Sequence, residues 1–142
     1  MHSWIARLSA AFAAGTVGAV ANSLAVQLAG LLQPGAAPAL SAAWLYPRLV
    51  WGGLWGLLFL APVLPGRPLL RGAIASLAPT LARLTVFAPP DALPDARTIV
   101  LTLLFNAIWG IAGVLWYEAA RGPRRDPAIH SDRSVARGHQ SG

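Results

Sequence analysis

Four stretches of the chain are almost free of charge, and proline, glycine or arginine separates each from the next. The first runs from Leu8 to Leu32, about 25 residues. As a helix rising about 1.5 Å per residue it outreaches the roughly 30 Å hydrocarbon core of a bilayer. Gln33-Pro34-Gly35 ends it. The second runs from Ala42 to Leu64 and is interrupted by Pro47-Arg48. Proline is best tolerated in a helix's first turn, so Pro47 is expected near the helix start, with Trp44 and Tyr46 at a membrane interface.

The third stretch, Leu69 to Phe87, is arginine-flanked. Arg71 and Arg83 leave a short uncharged segment that alone would suit a re-entrant or interfacial helix. Counted whole it reaches across, with both arginines near ends where they can snorkel. Pro79 should kink it by freeing the carbonyl of Ala75, and Ser76 or Thr80 could satisfy that backbone. Pro89-Pro90 stops it. The fourth stretch runs from Thr98 to Tyr117 and ends in Trp116, Tyr117, Glu118 and Arg121.

These runs predict an all-α fold, a polytopic transmembrane helical bundle with spans at about 8–32, 42–64, 69–87 and 98–117. Residues 1–121 form the membrane domain. Residues 122–142, rich in Arg, Gly, Pro and Ser, read as a disordered basic cytoplasmic tail. Arginine placement sets the orientation. With both termini inside, the cytoplasmic side receives Arg7, Arg67, Arg71, Arg121, Arg124 and Arg125, and the opposite side Arg97, Asp91 and Asp95, with Arg48 and Arg83 near helix ends. That asymmetry favours N-in, C-in, and hence an even number of spans.

Composition agrees. Charged residues are 11% of the chain and hydrophobic residues 56%, where a soluble domain carries about a quarter charged. So few charges cannot coat a water-soluble surface. All eleven basic side chains are arginine, which with the abundant alanine suits a GC-rich bacterial genome and an inner-membrane location. The competing reading of the N-terminus is a signal peptide cleaved after Ala21. The apolar run continues well past Ala21 to Leu32, and an uncleaved helix is the expectation.

Several chemistries are missing. There is no cysteine, and His2, His130 and His139 all lie in the tails. Metal-dependent hydrolysis needs clustered His and carboxylate ligands. Proton coupling needs a titratable group at membrane depth, and none of the five acids lies well inside a span. The four-span size is shared with small multidrug exporters, but the membrane-embedded glutamate that their coupling requires is absent. No metal or cofactor is expected. An enzyme acting on lipid at the outer arginines would lack a general base. Nucleic acid is not an expected partner, because the basic tail also carries Asp126 and Asp132 and has no stacking aromatics.

Candidate binding residues fall into three sets. Trp44, Arg48, Trp51 and Trp55 recur at helical spacing, and with Arg83 they form an outer-side cluster suited to an anion or a lipid head group through cation–π contacts. The plainer reading is an interfacial arginine among belt aromatics. Asn22 and Asn106 are amides at membrane depth, as is Gln27, and the two asparagines are either helix-to-helix glue or the polar lining of a solute path. Gly15, Gly52, Gly56, Gly110 and Gly113 are small packing positions, within one bundle or at a homodimer seam. A short internal echo joins Arg48-Leu-Val-Trp51-Gly52 to Asn106-Ala-Ile-Trp109-Gly110, as two duplicated hairpins would.

The expected function is that of a non-catalytic accessory, structural or lipid-interacting membrane protein. Its partners would be the bilayer, a second copy or another membrane protein. The alternative is a small dimeric channel or carrier for a small solute or anion.

Overall fold

The computed structural model describes residues 2–32, 39–89 and 93–122. The stop at Gln33–Gly35, the acid Asp91 and the tail beyond Gly122 lie outside the described residues. Among the described residues every regular element is helical: α1 (His2–Leu32), α2 (Ala42–Gly56) continued by a 3₁₀ turn (Leu57–Leu60), α3 (Pro68–Ala75), α4 (Leu77–Thr85) and α5 (Ala96–Arg121). Because α3 and α4 are two halves of one broken rod, the bundle has four rods.

Local chemistry sets the boundaries. Ser41 caps α2 by accepting from the Trp44 backbone N–H. Pro47 lies in the second turn of α2, slightly deeper than its expected place at the start. The α-helix ends at Gly56 and not at Leu64. Pro62 cannot donate a backbone hydrogen bond and biases the preceding residue toward extended backbone. Ala61 accordingly sits at φ −65°, ψ 131°, and the 3₁₀ turn takes up the last four residues before it. Leu64 (φ 50°) and Gly66 (φ 81°) then turn the chain toward α3 in left-handed conformations.

Pro79 breaks the third rod as its position requires. The two halves meet at Ser76, and Pro79 falls in the first turn of α4, where its missing N–H costs least. The side-chain caps go elsewhere than expected. Ser76 Oγ donates to the Ala73 carbonyl at 2.7 Å and Thr80 Oγ1 to the Ser76 carbonyl at 2.8 Å, so neither reaches Ala75. Asp95 caps α5 by accepting from the Thr98 N–H at 2.7 Å.

The rods pack antiparallel in the order α2, α1, α5, α3–α4, and glycine makes each crossing. A Cβ placed on Gly15 would stand 2.1 Å from the Gly52 carbonyl oxygen, and one on Gly56 would stand 2.4 Å from that of Ala11. Gly52 and Gly56 are therefore spent inside the chain, on the small-residue face Ala11–Gly15–Ala19 of α1, and are not open as a homodimer seam. Gly110 meets Gly72 of α3 in the same way, and Gly113 meets Phe59 and Ala14. With no Cβ, backbones approach closely enough for dispersion and Cα–H contacts between the rods. The largest fully buried side chains are Tyr117, Phe59 and Val114.

Two helices, Ser3–Leu32 and Ala96–Arg121, are long and apolar enough to cross a membrane, with mean hydropathy 1.4 and 2.0. Proline divides the other two rods into shorter pieces. The outward faces of all four carry large apolar side chains, such as Leu24, Leu28, Val50, Leu81 and Leu104.

Candidate functional site

The half of the bundle away from the start of α1 and the end of α5, here the distal half, contains a cleft of about 390 Å³. α2 and α4 wall it, and α1 and α5 floor it. The cleft unites two residue sets that the sequence places separately. Arg48, Trp51 and Trp55 line it from α2 and Arg83 from α4, together with Asn22 of α1 and Asn106 of α5. Trp44 stands behind this lining, its ring 4.3 Å from the Arg48 guanidinium carbon. Trp109 forms part of the floor and donates its indole N–H to the Gly15 carbonyl at 2.9 Å.

The polar side chains are held by two equivalent bonds. Arg48 Nη1 donates to Asn22 Oδ1 at 3.3 Å, and Asn106 Nδ2 donates to Thr80 Oγ1 at 3.0 Å. Both bonds span 26 residues. Each links the residue three before a Trp-Gly pair to the partner helix of its own hairpin, and each Trp-Gly glycine sits at a close helix crossing. The internal echo in the sequence is thus matched by a repeated contact. Asn22 also donates to the Phe105 carbonyl at 2.8 Å, tying α1 to α5. The amides act as the interhelical glue that an amide in an apolar setting requires.

Among the described residues Arg83 reaches no acid. Its Nη1 donates to the Phe87 carbonyl at 3.0 Å, and the Phe87 ring meets Trp51 edge-on at 5.7 Å to close one side of the cleft. Asp95, one expected partner, is committed to its cap. The Thr98 hydroxyl and backbone N–H hold its carboxyl below the usual carboxylate range. Among the described residues the lining contains two guanidiniums and no carboxylate. Among the described residues, no three His, Cys, Asp or Glu side chains gather where they could hold a metal ion.

The proximal half holds a buried arginine. Arg71 was expected to snorkel, yet it is only 8% exposed. Its Nη1 bonds Glu118 Oε1 at 3.1 Å, and its Nη2 donates to the Phe59 and Ala61 carbonyls. Those carbonyls belong to the chain segment where α2 ends. Ala61 also accepts from the Val63 N–H at 2.8 Å, whereas Pro62 offers no N–H to Phe59. Arg71 supplies a donor there and ties the 3₁₀ turn to α3 and α5. Tyr117 packs between the Arg71 and Arg121 guanidiniums, 5.8 and 5.2 Å from its ring centre. A signal for the pair exists in the sequence: Glu118 is the acid nearest a span end, and the arginine rule assigns it and Arg71 to the same side.

The chain matches no known protein family, no curated protein and no solved structure. The functional reading therefore rests on this geometry.

Proposed function

We propose that this chain is a four-span, N-in, C-in protein of a bacterial inner membrane that acts without catalysis, by holding lipid in its distal cleft. The observation that carries the reading is the cleft's composition, two guanidiniums and tryptophan walls with no carboxylate among the described residues. It lies in a bundle whose outer faces are apolar. In an N-in arrangement the distal half is the outer half. The belts of Trp and Arg found at membrane edges favour that placement.

The carrier reading is served less well. Below the cleft, Phe59 stacks on Trp109 with ring centres 5.2 Å apart, and Tyr117 packs beyond them. That packing supports a closed inner half over a path. The catalytic reading lacks a base or nucleophile beside the arginines.

The test combines topology and cargo. Single cysteines at Ala37, Arg67, Ala92 and Ser134 read the topology cleanly, because the native chain has no cysteine. Labelling from outside is expected at positions 37 and 92 alone. Native mass spectrometry from mild detergent is expected to show co-purified lipid, and liposomes are expected to show no solute flux. Outside labelling at 134, or selective flux, would overturn the reading.

A further inference from the structure

The distal cleft has a sign and a polarity, and together these specify its occupant. We propose that it holds one anionic phospholipid, with the lipid phosphate between Arg48 and Arg83 and the start of one acyl chain against Trp55 and Trp109. This assignment rests on the lipid-holding reading above and adds the chemical class and the seat of each part.

The charge argument comes first. Two cations face one cleft, and among the described residues no lining acid offsets them. The bundle's Arg71–Glu118 ion pair lies at the opposite end and neutralises nothing here. Two guanidiniums in a low-dielectric setting repel each other, and a bound oxyanion removes that cost. Each arginine also keeps donors in reserve. A guanidinium has five N–H groups. Arg48 directs one at Asn22 and Arg83 one at Phe87. The remaining N–H groups suit the forked recognition of a phosphate. Arg48 is braced from behind by Trp44 and from the side by Asn22, so its position is fixed before any ligand arrives.

The second argument is the gradient along the cleft. The guanidinium of Arg83 is exposed at the mouth, whereas Gly52, Ala19 and Trp109 at the floor are buried. A free phosphate would use only the mouth. An amphiphile uses both ends, its head on the arginines and its chain on indole and aliphatic surface. The volume, about 390 Å³, suits a head group with the upper part of one chain, toward the small end of ligand pockets at about 300–1,000 Å³.

The third argument is the way the bundle packs. Rods α1 and α5 cross tightly, Gly18 against Trp109 and Gly113 against Ala14. In the repeated hairpins, the counterpart of that crossing would join α2 to the third rod. There the cleft stands instead, leaving an apolar gap that an acyl chain can fill.

The experiment uses the full chain in mild detergent with native mass spectrometry. The probes are phosphatidylglycerol, phosphatidylcholine and inorganic phosphate, applied to the wild type and to Arg48→Gln, Arg83→Gln and the control Arg7→Gln. Phosphatidylglycerol is expected to be retained over phosphatidylcholine. Each cleft variant should weaken that retention about tenfold, the scale of one hydrogen bond to a charged group, and Arg7→Gln should not. Equal retention of both lipids by the wild type would overturn the proposal, and that readout needs no variant to fold. Displacement of phosphatidylglycerol by inorganic phosphate at equal concentration would overturn it in favour of a small-anion site. If lipid co-purifies undiminished from Arg48→Gln and Arg83→Gln, this seat is wrong while the lipid-holding reading stands.

Discussion

Arg48 and Asn22 are joined at 3.3 Å between α2 and α1, and the same 26-residue separation joins Asn106 to Thr80 between α5 and α4. One bond helps fix the cleft's cation and the other lies behind its floor. Both couple rods whose backbones already meet at glycine, Gly15 with Gly52 in one pair and Gly110 with Gly72 in the other. An interhelical bond of this kind contributes about 0.6 to 2 kcal/mol. Asn22→Leu should therefore lower the thermal midpoint in detergent modestly, and Asn106→Leu by a similar amount. Double-mutant cycles on the two pairs should each return coupling of that size. Strict additivity in either cycle would show that its bond contributes nothing.

The glycine crossings should be much less forgiving. A side chain on Gly15 has no room, because its Cβ would stand 2.1 Å from the Gly52 oxygen. Overpacking costs about 1–3 kcal/mol where side chains can yield, and backbone cannot yield as they do. Gly15→Val should lose folded protein on size-exclusion chromatography, while Ala6→Val on the exposed part of the same helix should not. A normal elution profile for Gly15→Val would contradict the crossing.

Arg71 should be the most costly single charge to remove. Arg71→Gln strands Glu118 and leaves the Phe59 carbonyl short of a donor, while Ala61 keeps the Val63 N–H. Breaking a buried pair costs about 3–5 kcal/mol, and the low end applies because the Glu118 side chain is 36% exposed. Glu118→Gln should cost less, since the two carbonyl bonds remain. The order of the two midpoints in a chemical or thermal melt decides between a carbonyl clamp and a simple ion pair.

Acid should loosen the start of α5. The Asp95 carboxyl is held below its ordinary range first by the Thr98 hydroxyl and then by the Thr98 N–H. A lowered folded-state value means that the contribution is complete above the ordinary carboxylate pKa. It is lost as the pH falls through the lower folded value. Asp95→Asn keeps a capping oxygen and should remove this part of the pH dependence. Amide exchange at Thr98 measured across the acid range reads the effect directly, and an unchanged acid response in Asp95→Asn would disprove it.

Much of the fold was legible in the sequence. The apolar runs mark the four rods, Pro79 marks the break in the third, and the small residues Ala11, Gly15 and Ala19 mark the face that α2 covers. Pro62 was equally readable, since it alone moves the end of α2 from Leu64 to Gly56, but the hydrophobic run conceals it. The site was legible only in parts. Arg48, Trp51 and Trp55 follow from helical spacing, and Asn22 and Asn106 from their polarity at depth. Nothing local says that these sets face one cleft.

The sequence by itself determined what each segment is: where helices start, break and stop, which faces are small, and which few side chains are charged. Those are properties of neighbours within a turn or two, where spacing and backbone chemistry act. Tertiary structure alone decided which rod lies beside which. It buried Arg71, expected to snorkel, because the Phe59 and Ala61 carbonyls and the carboxylate of Glu118 converge on it. It also brought Arg48 and Arg83 into one cleft, because glycine lets α1 and α5 close tightly while α2 and α4 stand apart.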